Sequence, residues 1–399
     1  LDEPEALTLL LGQLTAEKEP ELRALIAAEL GTHRRLAARA ALRQALDDGQ
    51  AAVRQAALRA LRQLEGETAL SPLRAALRGR HADIRQAALR ALLQLRESSP
   101  LVGGLITSAL TDADGGVRLV ALDAVLGLYP PGTAEPLRLA FERGPGDIRG
   151  EALVRAGFAG LLTTPELQPL LARALDDEDA EVRRIAFALA VLLHQPLAAL
   201  LEPRDEDFAR TTREILRREA LRRRATQGAP TADGKDLPKE PAEAEISAAR
   251  TALLAVLGQR GVVPSAPAGA PTLSEPDLLP LLTAMSCRTP GTALRGARGL
   301  ALLGDTRALG ALLQLSRESE PSLRREAALA LRALQDSRAR KRLIWMLDDG
   351  DASVRAAALD AYADLCGGQA LLVAEAALQS CHEDIRVRGL DRLIQLGAA

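Results

Sequence analysis

The side chains best suited to chemistry in this 399-residue chain are few and scattered. His33, His81, His194 and His382 lie far apart, and none stands with cysteines or carboxylates at metal-ligand spacing. His81 and His382 sit just before Asp83 and Asp384, so they read as turn residues. Cys287, Cys366 and Cys381 are odd in number and lack CxxC spacing. They read as buried free thiols of a reducing compartment, which makes a cytoplasmic location the expectation. The run Asp176-Asp177-Glu178-Asp179 lacks the spaced oxygen ligands and the glycine of a calcium loop. No P-loop, GxSxG elbow or dinucleotide fingerprint occurs. The expectation is a chain with no catalytic centre, no cofactor and no metal.

What does recur is arginine, and it recurs in a frame. An apolar residue, then arginine, then Ala/Leu at helical spacing reads VRQAALRAL from Val53 and IRQAALRAL from Ile84. The phrase returns from Val117, Ile148, Val182, Leu323, Val354 and Ile385, with a weaker copy at Leu22. The spacings cluster near 31 residues. Thr292 begins a copy with Ala293 in place of arginine, and Thr212-Arg213 is a poor copy, giving about eleven units.

Each phrase predicts a helix. Apolar or small residues fall at offsets 0, 4, 5, 7, 8 and 11, as in Val53, Ala57, Leu58, Ala60, Leu61 and Leu64, a wide stripe of 3.6 period. Asp83, Asp147, Ser322, Ser353 and Asp384 directly precede the apolar residue and are expected to cap it. A second apolar helix precedes each phrase, for example Ala69–Leu77, Leu167–Leu175 and Ala308–Leu315. Aromatics are 2% of a chain that is 47% hydrophobic, so the core is Ala, Leu and Val. That composition favours helix and argues against sandwiches, barrels and doubly wound sheets. A hairpin of two short helices cannot bury its stripe alone, whereas stacked hairpins can. The fold class expected is therefore all-α, an α-solenoid of stacked hairpins.

Gly304-Asp305-Thr306-Arg307-Ala308 before Leu312-Leu313, and Asp348-Asp349-Gly350-Asp351 before Val354-Arg355, carry a family likeness. The unit resembles the HEAT repeat, in its short form of about 31 residues named after phycobilisome lyases. The resemblance covers most of the chain outside about residues 225–275 and implies a right-handed solenoid. It is unspecific for function, since such repeats serve scaffolds, lyase subunits and some nucleic-acid enzymes.

Two sets of residues follow. Arg54, Arg85, Arg118, Arg149, Arg183, Arg324, Arg355 and Arg386 hold the second position of their units, with aspartates two or six residues earlier. They are similar to the ladder with which the family ties one turn to the next, a guanidinium donating to a carboxylate and to turn carbonyls of the adjacent unit. If second helices line the concave side, as in that family, Arg59, Arg62 and Arg90 face a groove, and Asp123, Asp360, Asp364 and Asp391 hold equivalent outward positions.

A formal charge of −2 conceals blocks. Residues 31–96 hold thirteen arginines and five acids, 97–207 nine arginines and eighteen acids, and 208–224 seven arginines and two glutamates. Arg210–Arg224 reads as a basic helix able to dock on an acidic partner or, preferably, on the chain's own acidic block. The scarcity of lysine against arginine reads as a bacterial-like codon bias. Residues 225–243 lack apolar period and are rich in Pro, Gly and charge. The expected organisation is a solenoid block over 1–224, an irregular insertion over 225–275 with one helix near 246–258, and a second block over 276–399. The chain starts inside a helical run, Pro4–Leu14, and ends straight after its last helix, so a fragment or processed form of a longer protein is the expectation. No apolar run is long enough to span a membrane. The function expected is a non-enzymatic scaffold binding another protein along the groove. Phosphate-backbone binding through residues 31–96 is the alternative, disfavoured by the lack of aromatics for base stacking. A lyase- or glycosylase-like module comes third.

Overall fold

The computed structural model describes residues 4–32, 36–66, 68–95, 100–130, 132–162, 164–226, 240–258, 273–367 and 369–397. Most of the expected linker and all of the second loop, residues 227–239 and 259–272, lie outside the described residues. All regular structure among the described residues is helical. The chain groups into two compact units, residues 1–156 and 157–399.

The first unit holds five hairpins: α1 (Pro4–Ala16) with α2 (Pro20–Thr32), α3 (Arg39–Ala45) with α4 (Ala51–Glu65), α5 (Leu70–Leu77) with α6 (Ala82–Gln94), α7 (Pro100–Ser108) with α8 (Gly115–Gly127), and α9 (Glu135–Arg143) with α10 (Gly146–Phe158). The second unit begins with α11 (Gln168–Leu175) and α12 (Ala180–Leu192). Three further helices follow: α13 (Gln195–Leu201), α14 (Glu206–Thr226) and α15 (Glu243–Gly258). Hairpins then resume with α16 (Glu275–Met285) and α17 (Pro290–Leu302), α18 (Ala308–Leu315) and α19 (Pro321–Leu334), α20 (Arg340–Met346) and α21 (Ala352–Leu365), and α22 (Ala370–Leu378) and α23 (Glu383–Gly397). Ten hairpins and one three-helix insertion thus account for the helices. The poor copy at Thr212-Arg213 is no repeat, since both residues lie inside the 21-residue α14.

The stripe is buried as its period requires. Val53, Ile84, Val117, Val354 and Ile385 at offset 0, and Leu89, Leu122 and Leu359 at offset 5, are wholly buried. Small residues let helices close up. A Cβ added at Gly296 of α17 would lie 2.5 Å from the Leu281 carbonyl of α16, so only glycine permits that approach.

Between hairpins runs a guanidinium ladder. Arg23 grips Asp48, Arg54 grips Asp83, Arg85 grips Asp112, Arg118 grips Asp147, Arg324 grips Asp349 and Arg355 grips Asp384, each acid lying in the next hairpin's turn or first helical turn. The remaining Nη1 donates to the carbonyl six residues back, as Arg54 to Asp48 (2.6 Å) and Arg355 to Asp349 (2.8 Å). Arg183 and Arg386 donate likewise to Asp177 and Ser380, and Arg149 to Gly144 five residues back, so the carbonyls belong to the arginine's own turn and not, as expected, to the adjacent unit. Burial pushes the carboxyls of Asp48, Asp112 and Asp349 up, but the arginine and turn N–H bonds outweigh it and hold them below the usual range.

The caps differ from the expectation. Helices start earlier than the apolar residue suggests, so Asp114, Asp179 and Asp351 are the N-caps, accepting from Val117, Glu181 and Ser353 backbone N–H groups. Asp83, Asp147 and Asp384 lie inside the first turn and serve the ladder instead. Ser322 donates to Glu320, and Ser353 to Asp351.

A second turn-to-turn contact fixes the order of stacking. Asp47 accepts from the Arg80 N–H (3.0 Å) and Asp348 from the Cys381 N–H (2.9 Å), each in the following hairpin. Asp176 holds the same place in its turn, yet its carboxylate accepts from Thr289 N–H (3.0 Å) and Oγ1 (2.6 Å). Thus α11–α12 stacks on α16–α17, with α12 touching both, and α13–α15 are looped out of the stack.

Candidate functional site

Five second helices, α4, α6, α8, α21 and α23, carry at offset 6 a residue that the stripe leaves outside the core. Arg59, Arg90, Asp123, Asp360 and Asp391 hold that register and are all exposed. Arg62, three residues beyond Arg59, is half-buried, and Asp364 at offset 10 is exposed.

Three acids of this face, Asp123, Asp360 and Asp364, meet an arginine of a neighbouring hairpin. Asp123 accepts from Arg155 of the following hairpin at 2.5 Å, and Arg155 also holds Glu151 at 2.9 Å. Asp364 is met by Arg332 of the preceding hairpin, and Asp360 lies 3.9 Å from Arg392 of the following one. Among the described residues, Arg59 and Arg90 reach only their own helix. Arg59 Nε lies 3.4 Å from the Gln55 carbonyl, and Arg90 Nη2 lies 3.4 Å from Gln86 Oε1. Both contacts are long for a charged donor. Helices α4 and α6, which carry them, pack together, so two unanswered guanidiniums share one face. Apolar ground adjoins them at outward offsets 2 and 9: Leu119 is 42% exposed, and Leu93 and Leu126 are half-buried. Elsewhere in the basic block, Arg39 and Arg43 are tied to Glu65 and Ser71, while Arg74, Arg78 and Arg80 are exposed on and after α5.

On α12, in the second unit, the same face is covered. At offset 6 α12 carries Ala188, wholly buried, and every residue from Ile185 to Leu192 is buried. A helix apolar all round must be covered all round. The cover is α14, which buries Phe208, Thr212, Ile215, Leu216, Glu219 and Ala220 along one side. Phe208 and Thr211 line a small cleft with Arg184, Phe187 and Ala188 of α12 and with Arg295 and Arg298 of α17. Arg298 holds offset 6 of its helix, and its guanidinium lies 3.8 Å from Asp205 and 3.9 Å from Asp207. Burial, with Arg184 nearby, pulls the Arg295 guanidinium down to about 10, and Asp207 and Asp205 oppose that. Asp205 also caps α14, accepting from the N–H groups of Asp207 and Phe208 at 3.1 Å. The sequence led to docking of Arg210–Arg224 on the acidic block by charge, and not to this apolar cover. Its signal was the run IAFALAVLL from Ile185, which leaves no polar side for water.

The basic helix is occupied internally. Arg218 reaches Glu181 of the acidic block at 3.0 Å, and Arg217 and Arg224 grip Glu240 and Glu245 before and within α15. Arg222 and Arg223 close on the buried Glu219.

Among the described residues, no group of three or more His, Cys, Asp or Glu side chains is placed to hold a metal ion. None of the described helices is long and apolar enough to cross a membrane. His194 begins α13 with its Nδ1 3.8 Å from Asp277, and burial pulls its pKa below the ordinary value despite that carboxylate. All three cysteines are free, but only Cys366 is buried; Cys287 is half-buried and Cys381 exposed, because residue 381 sits in a turn.

A family model for HEAT repeats matches residues 7–93 and 275–363, that is, α1–α6 and α16–α21. No curated protein matches the sequence. Among solved structures, one of Kap121p is similar at a TM-score of 0.34 and 15% identity. Kap121p bound to Pho4p is similar at 0.37 and 15%, and Kap121p bound to Nup53p at 0.37 and 14%. Each match covers 97% of this chain and 45% of the other, so the chain spans less than half the length of those proteins.

Proposed function

We propose that this chain, an α-solenoid with HEAT repeats at residues 7–93 and 275–363, is a non-enzymatic scaffold for an acidic segment of another protein. The segment lies on the exposed face of α4 and α6, and Arg59 and Arg90 are its principal contacts, with Arg62 beside them. One observation carries the reading. Along this face Asp123 is answered by an arginine of a neighbouring hairpin, whereas Arg59 and Arg90 are answered by no carboxylate. A field of one sign, left uncompensated on a rigid face, steers and orients a partner of the other sign. No aromatic stands at these positions, which favours a carboxylate-bearing protein over a nucleic acid read by stacking.

The test is fluorescence anisotropy with a 20-residue polyglutamate peptide and a 20-nucleotide single strand, each at low and physiological salt. Polyglutamate should bind more tightly at low salt, and Arg59→Glu/Arg90→Glu should weaken it by about tenfold or more. Both residues are exposed, so the double variant folds. An unchanged affinity in that variant refutes the reading, and tighter binding of the single strand replaces it with phosphate contact.

A further inference from the structure

The chain carries its own example of a helix seated on the second-helix face, and the example shows what kind of element that face accepts. Within the second unit α14 lies over α12 at the register where Arg59 and Arg90 stand in the first. Its leading residues read Asp205-Glu206-Asp207-Phe208. The two aspartates approach the offset-6 arginine Arg298, and Phe208, 3% exposed, is sunk against Phe187 and Ala188. Asp205 does double duty, capping the helix and facing the guanidinium.

We infer that the partner element for Arg59 and Arg90 is likewise a helix, docked through an acidic first turn followed by an aromatic or large apolar anchor. The inference rests on the acidic-partner reading above and narrows it. The first-unit face supplies the matching parts. Arg59 and Arg90 take the place of Arg298, and the half-buried Leu93 and Leu126 with the exposed Leu119 offer an anchor its apolar ground. A helix start suits this surface for a physical reason. Carboxylates in the first turn satisfy free N–H groups and offset the positive end of the helix, which would otherwise repel arginines. They are also held in a fixed array, so less side-chain freedom is lost on docking than for a flexible acidic strand.

Three fluorescein-labelled 16-residue peptides test this against the full chain. The first begins Asp-Glu-Asp-Phe and continues in neutral Ala/Gln helix. The second keeps the same first four residues and carries a central Pro-Gly that breaks the helix. The third moves the acidic-aromatic tetrad to its C-terminus. The first should bind about tenfold more tightly than the other two, and Arg59→Glu/Arg90→Glu should abolish that advantage. Equal binding of all three, each weakened by the double variant, overturns the helix inference and leaves the acidic-partner reading standing. If none is weakened by the double variant, both fall. If the first keeps its advantage in the double variant, the helix docks elsewhere and the inference is likewise overturned.

Discussion

Removing Asp349 should open one seam of the stack and leave the others closed. Its carboxylate accepts from Arg324 Nη2 at 2.7 Å and Nε at 2.8 Å, and from the Asp351 N–H at 3.0 Å. The two side chains are only 15% and 10% exposed. Asp349→Ala therefore deletes two charge-assisted bonds and a turn bond, and leaves a half-satisfied guanidinium in a mostly buried place. Exposed pairs contribute up to about 1 kcal/mol and breaking buried ones costs about 3–5, so about 3 kcal/mol is expected here. In a stack whose hairpins touch only their neighbours, that cost falls on the α19–α21 interface. Hydrogen exchange should show amides of α19 and α21 losing about 100-fold in protection, since 1.4 kcal/mol is tenfold, with α4 and α6 unchanged. Glu142→Ala, which cuts the exposed Arg138 pair, should move nothing measurable. The effect should also depend on pH. Arg324 and the turn hold the Asp349 carboxyl below its ordinary range against burial. Its contribution is complete above the unfolded value of about 4 and fades as pH falls through the lower folded value. Wild type and variant should thus converge once the pH lies below that folded value. A loss under about 1 kcal/mol, or protection lost evenly along the chain, would refute the ladder as the seam's fastening.

Two further outcomes are expected. Ala188→Arg gives α12 the residue that α4 and α6 show to solvent, but beneath α14, where a buried unpaired charge costs several kcal/mol. Exchange should then show residues 206–226 released while α19 and α21 stay protected, and an undisturbed α14 would sink the covering argument. In thiol labelling, Cys381 should react and the buried Cys366 should not. The Asp348 carboxylate beside Cys381 holds its thiol above the ordinary value, so Asp348→Asn should speed the reaction near pH 8. Faster labelling of Cys366 would contradict the packing described.

Much of the architecture was legible because a stack is a local object. Ala308–Leu315 and Leu167–Leu175 were readable to within a residue, since the apolar stripe and the turn lie within one 31-residue frame. The ladder was readable because its acid and arginine recur at fixed offsets. Capping was not, because the same aspartates can cap a helix or take a guanidinium from next door, and Asp83 and Asp384 do the second. The face at Arg59 and Arg90 could be named from register alone. That Asp123 and Asp364 were already answered depended on Arg155 and Arg332, each a full repeat away. The insertion was the hardest part. The hairpin that α12 stacks on lies beyond three helices, its turn offers Thr289 rather than an acid, and Ala293 replaces the marker arginine.

The bond between Asp176 and Thr289 spans 113 residues, where the same contact elsewhere spans 33. During synthesis most hairpins find their neighbour as soon as the next one emerges. At about 5–20 residues per second, α11–α12 waits roughly 4–16 s longer than a single hairpin takes. Helices α13–α15 emerge in that interval, so α14 settles on α12 before α17 exists. The growing chain therefore passes through one stage in which a finished stack ends in an unsealed apolar face. That stage, and not the mature protein, is where a chaperone or a self-association event would find its opening.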